Sequence, residues 1–133
     1  MAVYFNPEEL TKSPYYSHSA IVTGGDLVLV SGQLALDAGG ALVGPGDMRQ
    51  QAATVFSNIR VALEAAGATV GDIVSIDTYY TSRDDLAAYR DARVEFFRDR
   101  TAPPPVSVAV QVAGLVLEDA VVEVSVAAWK PAR

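Results

Sequence analysis

The clearest pattern of apolar and polar positions lies between residues 48 and 66. Apolar side chains recur there at steps of three and four residues, which predicts a helix with one buried face. Asp47 precedes the first of them and can cap the helix, and Gly67 follows the last, where glycine commonly ends a helix. The predicted apolar face consists of Met48, Ala52, Val55, Ile59, Ala62, Leu63 and Ala66.

A second helix is predicted from Ser82 to about Phe97. Residues 82–85 resemble a capping box in which aspartate takes the place of glutamate, and the prolines at 103–105 cannot continue a helix. Along this helix Leu86, Arg90, Val94 and Phe97 follow one another at steps of four, four and three. We therefore predict that these four residues form the inward stripe.

Strands are predicted around the two helices. Residues 20–22 and 27–30 flank a Thr-Gly-Gly-Asp turn, which indicates a hairpin, whereas two prolines make the first 19 residues look irregular. Leu42 and Val43 can form a short strand. The remaining strands are predicted at 73–81, 106–112 and 120–129.

The last two strands alternate between valine and small or polar residues. We expect the valine faces of both strands to pack under the helices. The opposite faces are small and mixed, which favours contact with another subunit, although a solvated antiparallel face can look the same. The element order predicts an α+β domain with a mixed sheet and both helices on one face.

Composition limits the partners of this chain. Its 133 residues indicate one domain spanning 1–133, and the absence of cysteine excludes disulfide and thiolate chemistry. We find no signal-peptide pattern or run of membrane-spanning length, and therefore expect a cytoplasmic protein with no membrane partner. The net charge is −6, and acidic residues interrupt the basic cluster at 90–100, as on a solvated helix face. A nucleic-acid partner is therefore disfavoured.

Five segments together resemble the Rid family, the RidA/YjgF-like enamine and imine deaminases that are also called L-PSP ribonucleases. No single segment is decisive, but their order along nearly the whole chain is specific. They are Tyr16-Ser17-His18, Val30-Ser31-Gly32-Gln33 with Asp37, Glu64-Ala65-Ala66-Gly67 with residues 70–74, Pro103 to Leu115, and Val122-Glu123-Val124.

The resemblance implies a chorismate-mutase-like fold packed as a homotrimer, with the sheets forming a central barrel and the ligand sites between subunits. It also implies hydrolysis of 2-imino acids, or of their enamine tautomers, to 2-keto acids and ammonia. That reaction needs a held substrate and an oriented water, without metal, cofactor or covalent nucleophile.

The resemblance assigns roles to four residues of this chain. Glu123 would position or deprotonate the water, and the Gly32 backbone would contact the ligand. Tyr16 would close the pocket, and Tyr79 would line it. Each has a plainer interpretation: a solvated or ion-paired glutamate, a glycine at a bend, and tyrosines that pack on their own fold. Tyr80 must face away from Tyr79, so at most one of the pair lines the pocket.

Two departures from the family pattern lie in the strand predicted at 106–112. Ser107 stands where most deaminating members have the arginine that binds the substrate carboxylate, and serine cannot make the bidentate contact of a guanidinium. Ala109 replaces a frequent cysteine, whose role is attributed to its backbone carbonyl. We therefore predict a substrate other than an ordinary 2-imino acid.

Arg90 stands where the family commonly has asparagine. On the predicted inward stripe it must reach solvent, pair with an acid, or face a pocket. Pairing with an acid such as Asp77 or Glu123 is the interpretation favoured by the usual behaviour of inward charges. The alternative is that Arg90 has taken over anion recognition from the opposite wall.

Two other functions stay open. One is a non-catalytic small-molecule binder, which loss of the arginine also predicts, and the other is an L-PSP-type ribonuclease. Net acidity and the lack of an acid–base histidine pair disfavour the ribonuclease. His18 is the only histidine, and we interpret it as a loop residue rather than a metal ligand.

Overall fold

The computed structural model describes residues 2–132, which form eight strands and helices in an α+β arrangement. Short 3₁₀ turns precede β4 and α2. The elements in chain order are β1 (Ala2–Phe5), β2 (Ser19–Val22), β3 (Asp26–Gln33), α1 (Met48–Ala65), β4 (Ile73–Tyr80), α2 (Leu86–Phe96), β5 (Val106–Gln111) and β6 (Val122–Lys130).

The larger sheet is mixed and has four strands in the order β3-β6-β4-β5. Only β4 and β5 run parallel; the other neighbours are antiparallel. Both helices lie on one face of this sheet, and we call the opposite face the open face. β1 and β2 form a separate two-stranded sheet. The predicted fold class, a mixed sheet with two helices on one face, is confirmed.

Helix α1 supplies the core, as its periodicity predicts. Val55, Ile59 and Leu63 are fully buried and pack with the valines of β6 in one apolar cluster. The Asp47 side chain accepts a hydrogen bond from the Gln50 backbone at 3.2 Å. Donation from the Gln50 side chain and backbone lowers the pKa of the Asp47 carboxyl. Gly67 follows the helix with φ of 75°, a conformation that favours glycine.

The predicted hairpin between β2 and β3 is wrong. β2 pairs with β1, so part of the segment predicted to be irregular is a strand, and β3 pairs with β6. Gly24 and Gly25 have φ of 70° and 64° and carry the chain from the small sheet into the large one. The short strand predicted near residue 42 is a single bridge between Leu36 and Leu42.

Strand β5 presents its valines to the open face, contrary to the prediction. Ser107 lies opposite Ile76 and Ala109 opposite Thr78, so the small residues of β5 share the helix side of the sheet. Val108 and Val110 are 51% and 39% exposed on the other side. In β6 the prediction holds, since its valines are buried under the helices.

The inward stripe predicted for α2 is also wrong. Tyr89, Arg93 and Phe96 are the buried residues of this helix, whereas Arg90 is exposed and Val94 is 55% exposed. The buried face is thus rotated by one residue from the predicted one. Ser82 caps the turn before α2, its side chain accepting a hydrogen bond from the Asp84 backbone at 3.2 Å. Across residues 2–132, no helix combines the length and apolarity that crossing a membrane requires.

Candidate functional site

A cleft of about 460 Å³ opens between α2, the edge strand β5 and the loop that follows β1. Its wall is aromatic and basic, and no lining residue in the described chain carries a carboxylate. The lining residues are Ser13, Tyr15, Tyr16, Tyr80, Leu86, Tyr89, Arg90, Arg93, Ser107 and Ala109. A second cavity of similar size lies between α1 and the end of α2 and contains none of the predicted site residues.

The loop that carries Tyr16 is tied to the proline run. The buried Ser17 hydroxyl donates to the Pro104 carbonyl at 2.6 Å, and its backbone N–H donates to the Pro105 carbonyl at 3.0 Å. These bonds fix the loop against the chain just before β5, and so they hold Tyr16 at the cleft.

His18 belongs to the same loop and makes local contacts. Its ring lies edge-on to that of Tyr16, with 5.3 Å between centroids, and its Nε2 atom is 2.7 Å from the Thr11 carbonyl oxygen. It therefore supports the loop, in line with its interpretation as a loop residue. Within residues 2–132, no three His, Cys, Asp or Glu side chains converge as metal ligands would.

Arg93 is the buried cation of the cleft, with only 7% of its surface exposed. Its Nη1 atom donates to the Ser107 hydroxyl at 3.2 Å, and its Nη2 atom donates to the Tyr15 carbonyl at 2.8 Å. The guanidinium carbon also lies 5.8 Å from the centroid of the Phe97 ring. The interpretation of the basic cluster as a solvated helix face is therefore wrong for Arg93.

The interpretation as a solvated helix face is also wrong for Arg100. The guanidinium of that residue donates to the Ile73 carbonyl at 2.7 Å and to the Tyr4 hydroxyl at 2.8 Å. Arg100 thus joins the end of α2 to β1 and to the start of β4, which is a structural role.

Arg90 lies at the exposed rim of the same cleft. The predicted pairing with Asp77 or Glu123 is not formed: none of the ion pairs among residues 2–132 includes Arg90. Arg90 thus both reaches solvent and lines the cleft, which are the other two alternatives.

Glu123 and Gly32 touch on the open face of the sheet. A Cβ atom added to Gly32 would overlap the Glu123 carboxylate, with Cδ at 3.0 Å. Glu123 is half-buried, and within the described chain its carboxylate has no ion-pair partner. Tyr79 is the residue of β4 that lies opposite Glu123 in the strand register.

The predicted site residues therefore form two groups within one chain. Tyr16, Arg90, Ser107 and Ala109 meet at the cleft, where Tyr80 rather than Tyr79 contributes the aromatic wall. Gly32, Tyr79 and Glu123 lie on the open face. Arg93 and Tyr80 were not among the predicted site residues. The signal for Arg93 is the spacing of Tyr89, Arg93 and Phe96, an aromatic–arginine–aromatic series at steps of four and three on one side of α2.

The profile of the endoribonuclease L-PSP family matches residues 8–130, nearly the full length of the chain. The chain belongs to this family. Its members among solved structures include the Rid protein YyfB of Yersinia pestis, described as a protein of unknown function. That structure is 29% identical to this chain, covers 97% of this chain and 98% of its own, and superposes with a TM-score of 0.88.

Two further Rid/L-PSP relatives carry functional information in their names. A 2-iminobutanoate/2-iminopropanoate deaminase of Dermatophagoides farinae is 30% identical over 80% of each chain. The structure of Escherichia coli TdcF with bound serine is 31% identical, covers 82% of this chain and 84% of its own, and has a TM-score of 0.71. This chain is thus similar to relatives that are named as imine deaminases or whose structure contains a bound amino acid.

Proposed function

We propose that this protein hydrolyses the C=N bond of an imine, or of its enamine tautomer, at a site completed by a second subunit. Water adds to the imine carbon, and the resulting carbinolamine loses ammonia to leave a carbonyl group. Water is the only co-reactant. The deaminase named among the relatives supports this reaction class.

The proposal depends chiefly on the environment of the Glu123 carboxylate. Its carboxylate is half-buried against the Gly32 backbone and has no ion-pair partner in residues 2–132. An oriented carboxylate that is not engaged by a cation can accept the proton of the attacking water and return it to the departing nitrogen. Of the two plainer interpretations, the ion pair is not formed among residues 2–132, and partial burial distinguishes Glu123 from a fully solvated glutamate.

The separation of the two groups supports a site shared between subunits. Glu123, Gly32 and Tyr79 face away from the helices, whereas the cleft with Tyr16 and Ser107 lies at the β5 edge. The homotrimer implied by the family resemblance would bring Glu123 of the partner subunit to this cleft. Each chain would then contribute a carboxylate to one site and a binding cleft to another.

Ser107 supports a substrate that differs from an ordinary 2-imino acid. The serine cannot bind a carboxylate as the family arginine does. We infer that the substrate either lacks a carboxylate beside the imine carbon or presents its carboxylate to a different part of the cleft.

The test measures hydrolysis of three imines by the parent protein. They are 2-iminobutanoate and 2-iminoglutarate, generated in situ by amino-acid oxidases, and the neutral 2-iminobutanamide. We expect at least one to be hydrolysed faster than in buffer. Glu123→Gln should lower that rate about 10²-fold or more, as expected for loss of a general base.

Glu118→Gln is the matched control, because Glu118 is an exposed loop glutamate that should leave the rate unchanged. A folded parent that accelerates none of the three imines, or a Glu123→Gln variant with parental activity, would contradict the proposal. The first result would favour the non-catalytic binder that loss of the arginine also predicts.

A further inference from the structure

Arg93 presents an unbalanced charge to the cleft. Its side chain is more than nine-tenths buried, and none of the ion pairs among residues 2–132 includes it. A buried guanidinium without a counter-ion is costly, so arginine in such a position is ordinarily paired with an anion. Within the described part of the chain, the cleft wall offers no carboxylate for this purpose.

Some N–H groups of the Arg93 guanidinium are not used in hydrogen bonds within the described chain. Its bonds to the Ser107 hydroxyl and the Tyr15 carbonyl use two of the five N–H groups of an arginine. Both acceptors are neutral. The other N–H groups have no acceptor among the described residues, and Arg93 is one of the residues that line the cleft. Arg93 can therefore still bind a planar anion such as a carboxylate.

Ser107 leaves room for the Arg93 guanidinium because its side chain is short. Its hydroxyl lies 3.2 Å from Arg93 Nη1, so the buried guanidinium occupies the space into which a longer side chain at position 107 would extend. An arginine at 107 would bring a second guanidinium against the first. The small residue at 107 and the inward arginine on α2 thus complement each other.

We propose that Arg93 binds the carboxylate of the ligand, with Arg90 adding positive charge at the rim. The cation that binds the carboxylate then belongs to α2, whereas the family arginine would belong to β5. Tyr80, Leu86 and Ala109 line the cleft beside it, which suits a carboxylate attached to a planar or apolar group. The inference rests on the proposed function only in identifying this ligand with the substrate.

The test compares two stable probes of equal shape, benzoate and benzamide, by titration against the assembled parent protein. Neither probe contains a C=N bond, so the outcome does not depend on catalysis. We expect benzoate to bind at least tenfold more tightly than benzamide. Equal binding of the two probes by the parent would overturn the proposal.

Arg93→Met should abolish the preference for benzoate, since it removes the charge and keeps much of the apolar stem. Arg49→Met is the matched control. It also removes one positive charge, from an exposed residue of α1 that pairs with Asp91, and should keep the preference. A folded Arg93→Met variant that still prefers benzoate tenfold would overturn the assignment.

Ser107→Asp provides a test that leaves Arg93 in place. An aspartate there would put a carboxylate beside the guanidinium, so we expect a higher Tm and at least a tenfold loss of benzoate binding. The neutral Ser107→Asn variant should show neither effect. Parental benzoate affinity in Ser107→Asp would overturn the proposal even if Arg93→Met failed to fold.

These outcomes are distinct from those of the hydrolysis assay. Benzoate binding that depends on Arg93, without hydrolysis of any imine, would keep the anion site and reject the proposed reaction. Hydrolysis that depends on Glu123, with no Arg93-dependent binding, would do the reverse.

Discussion

The Glu123 side chain occupies the space in which a side chain at position 32 would lie, so glycine is the residue that fits there. A Cβ atom there would overlap the end of the Glu123 side chain, which is flexible and can move aside. The glycine is thus required by the placement of the carboxylate. This distinguishes it from Gly24 and Gly25, whose positive φ angles serve the turn.

We predict that Gly32→Ala lowers the hydrolysis rate about 10²-fold, because a displaced Glu123 no longer orients water. The free energy of unfolding should change by less than about 1 kcal/mol, since the clash is relieved by rotating one side chain. Gly114→Ala is the control, because a Cβ atom at Gly114 meets nothing within 4 Å. Rate assays and urea denaturation of both variants check this, and a Gly32→Ala enzyme with the parental rate would contradict it.

The residues predicted to form one site do not all meet within one chain. Tyr16, Ser107 and Ala109 reach one cleft, as the family motifs imply. The resemblance assigned Tyr79 to the pocket, whereas Tyr80 lines the cleft within one chain. Which of the two tyrosines faces the helices cannot be counted from the start of β4, because the strand carries an irregularity between Ile73 and Ser75. A bulge of this kind depends on the neighbouring strand and leaves no clear local signal.

Helix α1 is fixed by a polar contact as well as by its apolar face. Gln51 has no exposed surface, and its amide nitrogen donates to the Gly44 and Asp119 carbonyls at 2.9 and 2.7 Å. Its amide oxygen accepts from the Val121 backbone at 2.8 Å. One glutamine thereby joins the loop before α1 to the segment that leads into β6.

We predict that Gln51→Leu lowers the free energy of unfolding by about 2–4 kcal/mol, since it leaves buried backbone groups without partners while conserving side-chain size. Gln50→Leu, at an exposed position of the same helix, should cost about 1 kcal/mol or less. Denaturant titration of the two variants checks the difference. Equal stability would show that the buried amide contributes nothing specific.

Elements with a regular apolar period were predictable, and those without one were not. α1 has a single apolar face. In α2 the buried face contains Arg93 while Val94 is exposed, so the apolar residues alone indicate the wrong phase. The false hairpin has a similar cause: the two glycines mark a turn, but β2 and β3 pair with partners elsewhere in the chain. Turn chemistry reports local geometry and cannot report such pairing.

The open face of the large sheet is more apolar than the sequence suggested. Leu27 and Leu29 of β3 are 65% and 73% exposed, and the valines of β5 add to the same side. Monomeric proteins rarely leave extended apolar patches uncovered. This face therefore supports the proposed homotrimer, in which Glu123 and the cleft would meet across subunits.

We predict that the parent sediments as a trimer and that Leu29→Glu dissociates it, because a buried, unpaired charge at the interface is strongly unfavourable. Hydrolysis should fall with dissociation by about 10²-fold or more, since the carboxylate leaves the cleft. Val116→Glu adds the same charge at a position that is 83% exposed and should change neither property. Analytical ultracentrifugation with parallel assays checks this, and a fully active Leu29→Glu monomer would contradict the shared site.

Arg93 binds the Tyr15 carbonyl as well as bordering the cleft, and this double role links affinity to the order of the N-terminal loop. A molecule whose loop has moved away has lost one of the two hydrogen bonds that hold the guanidinium. Only the fraction of molecules with the loop seated is then fully competent, and the apparent dissociation constant is the intrinsic one divided by that fraction. A distant substitution that loosens the Ser17 tether would thus weaken ligand binding without touching the cleft.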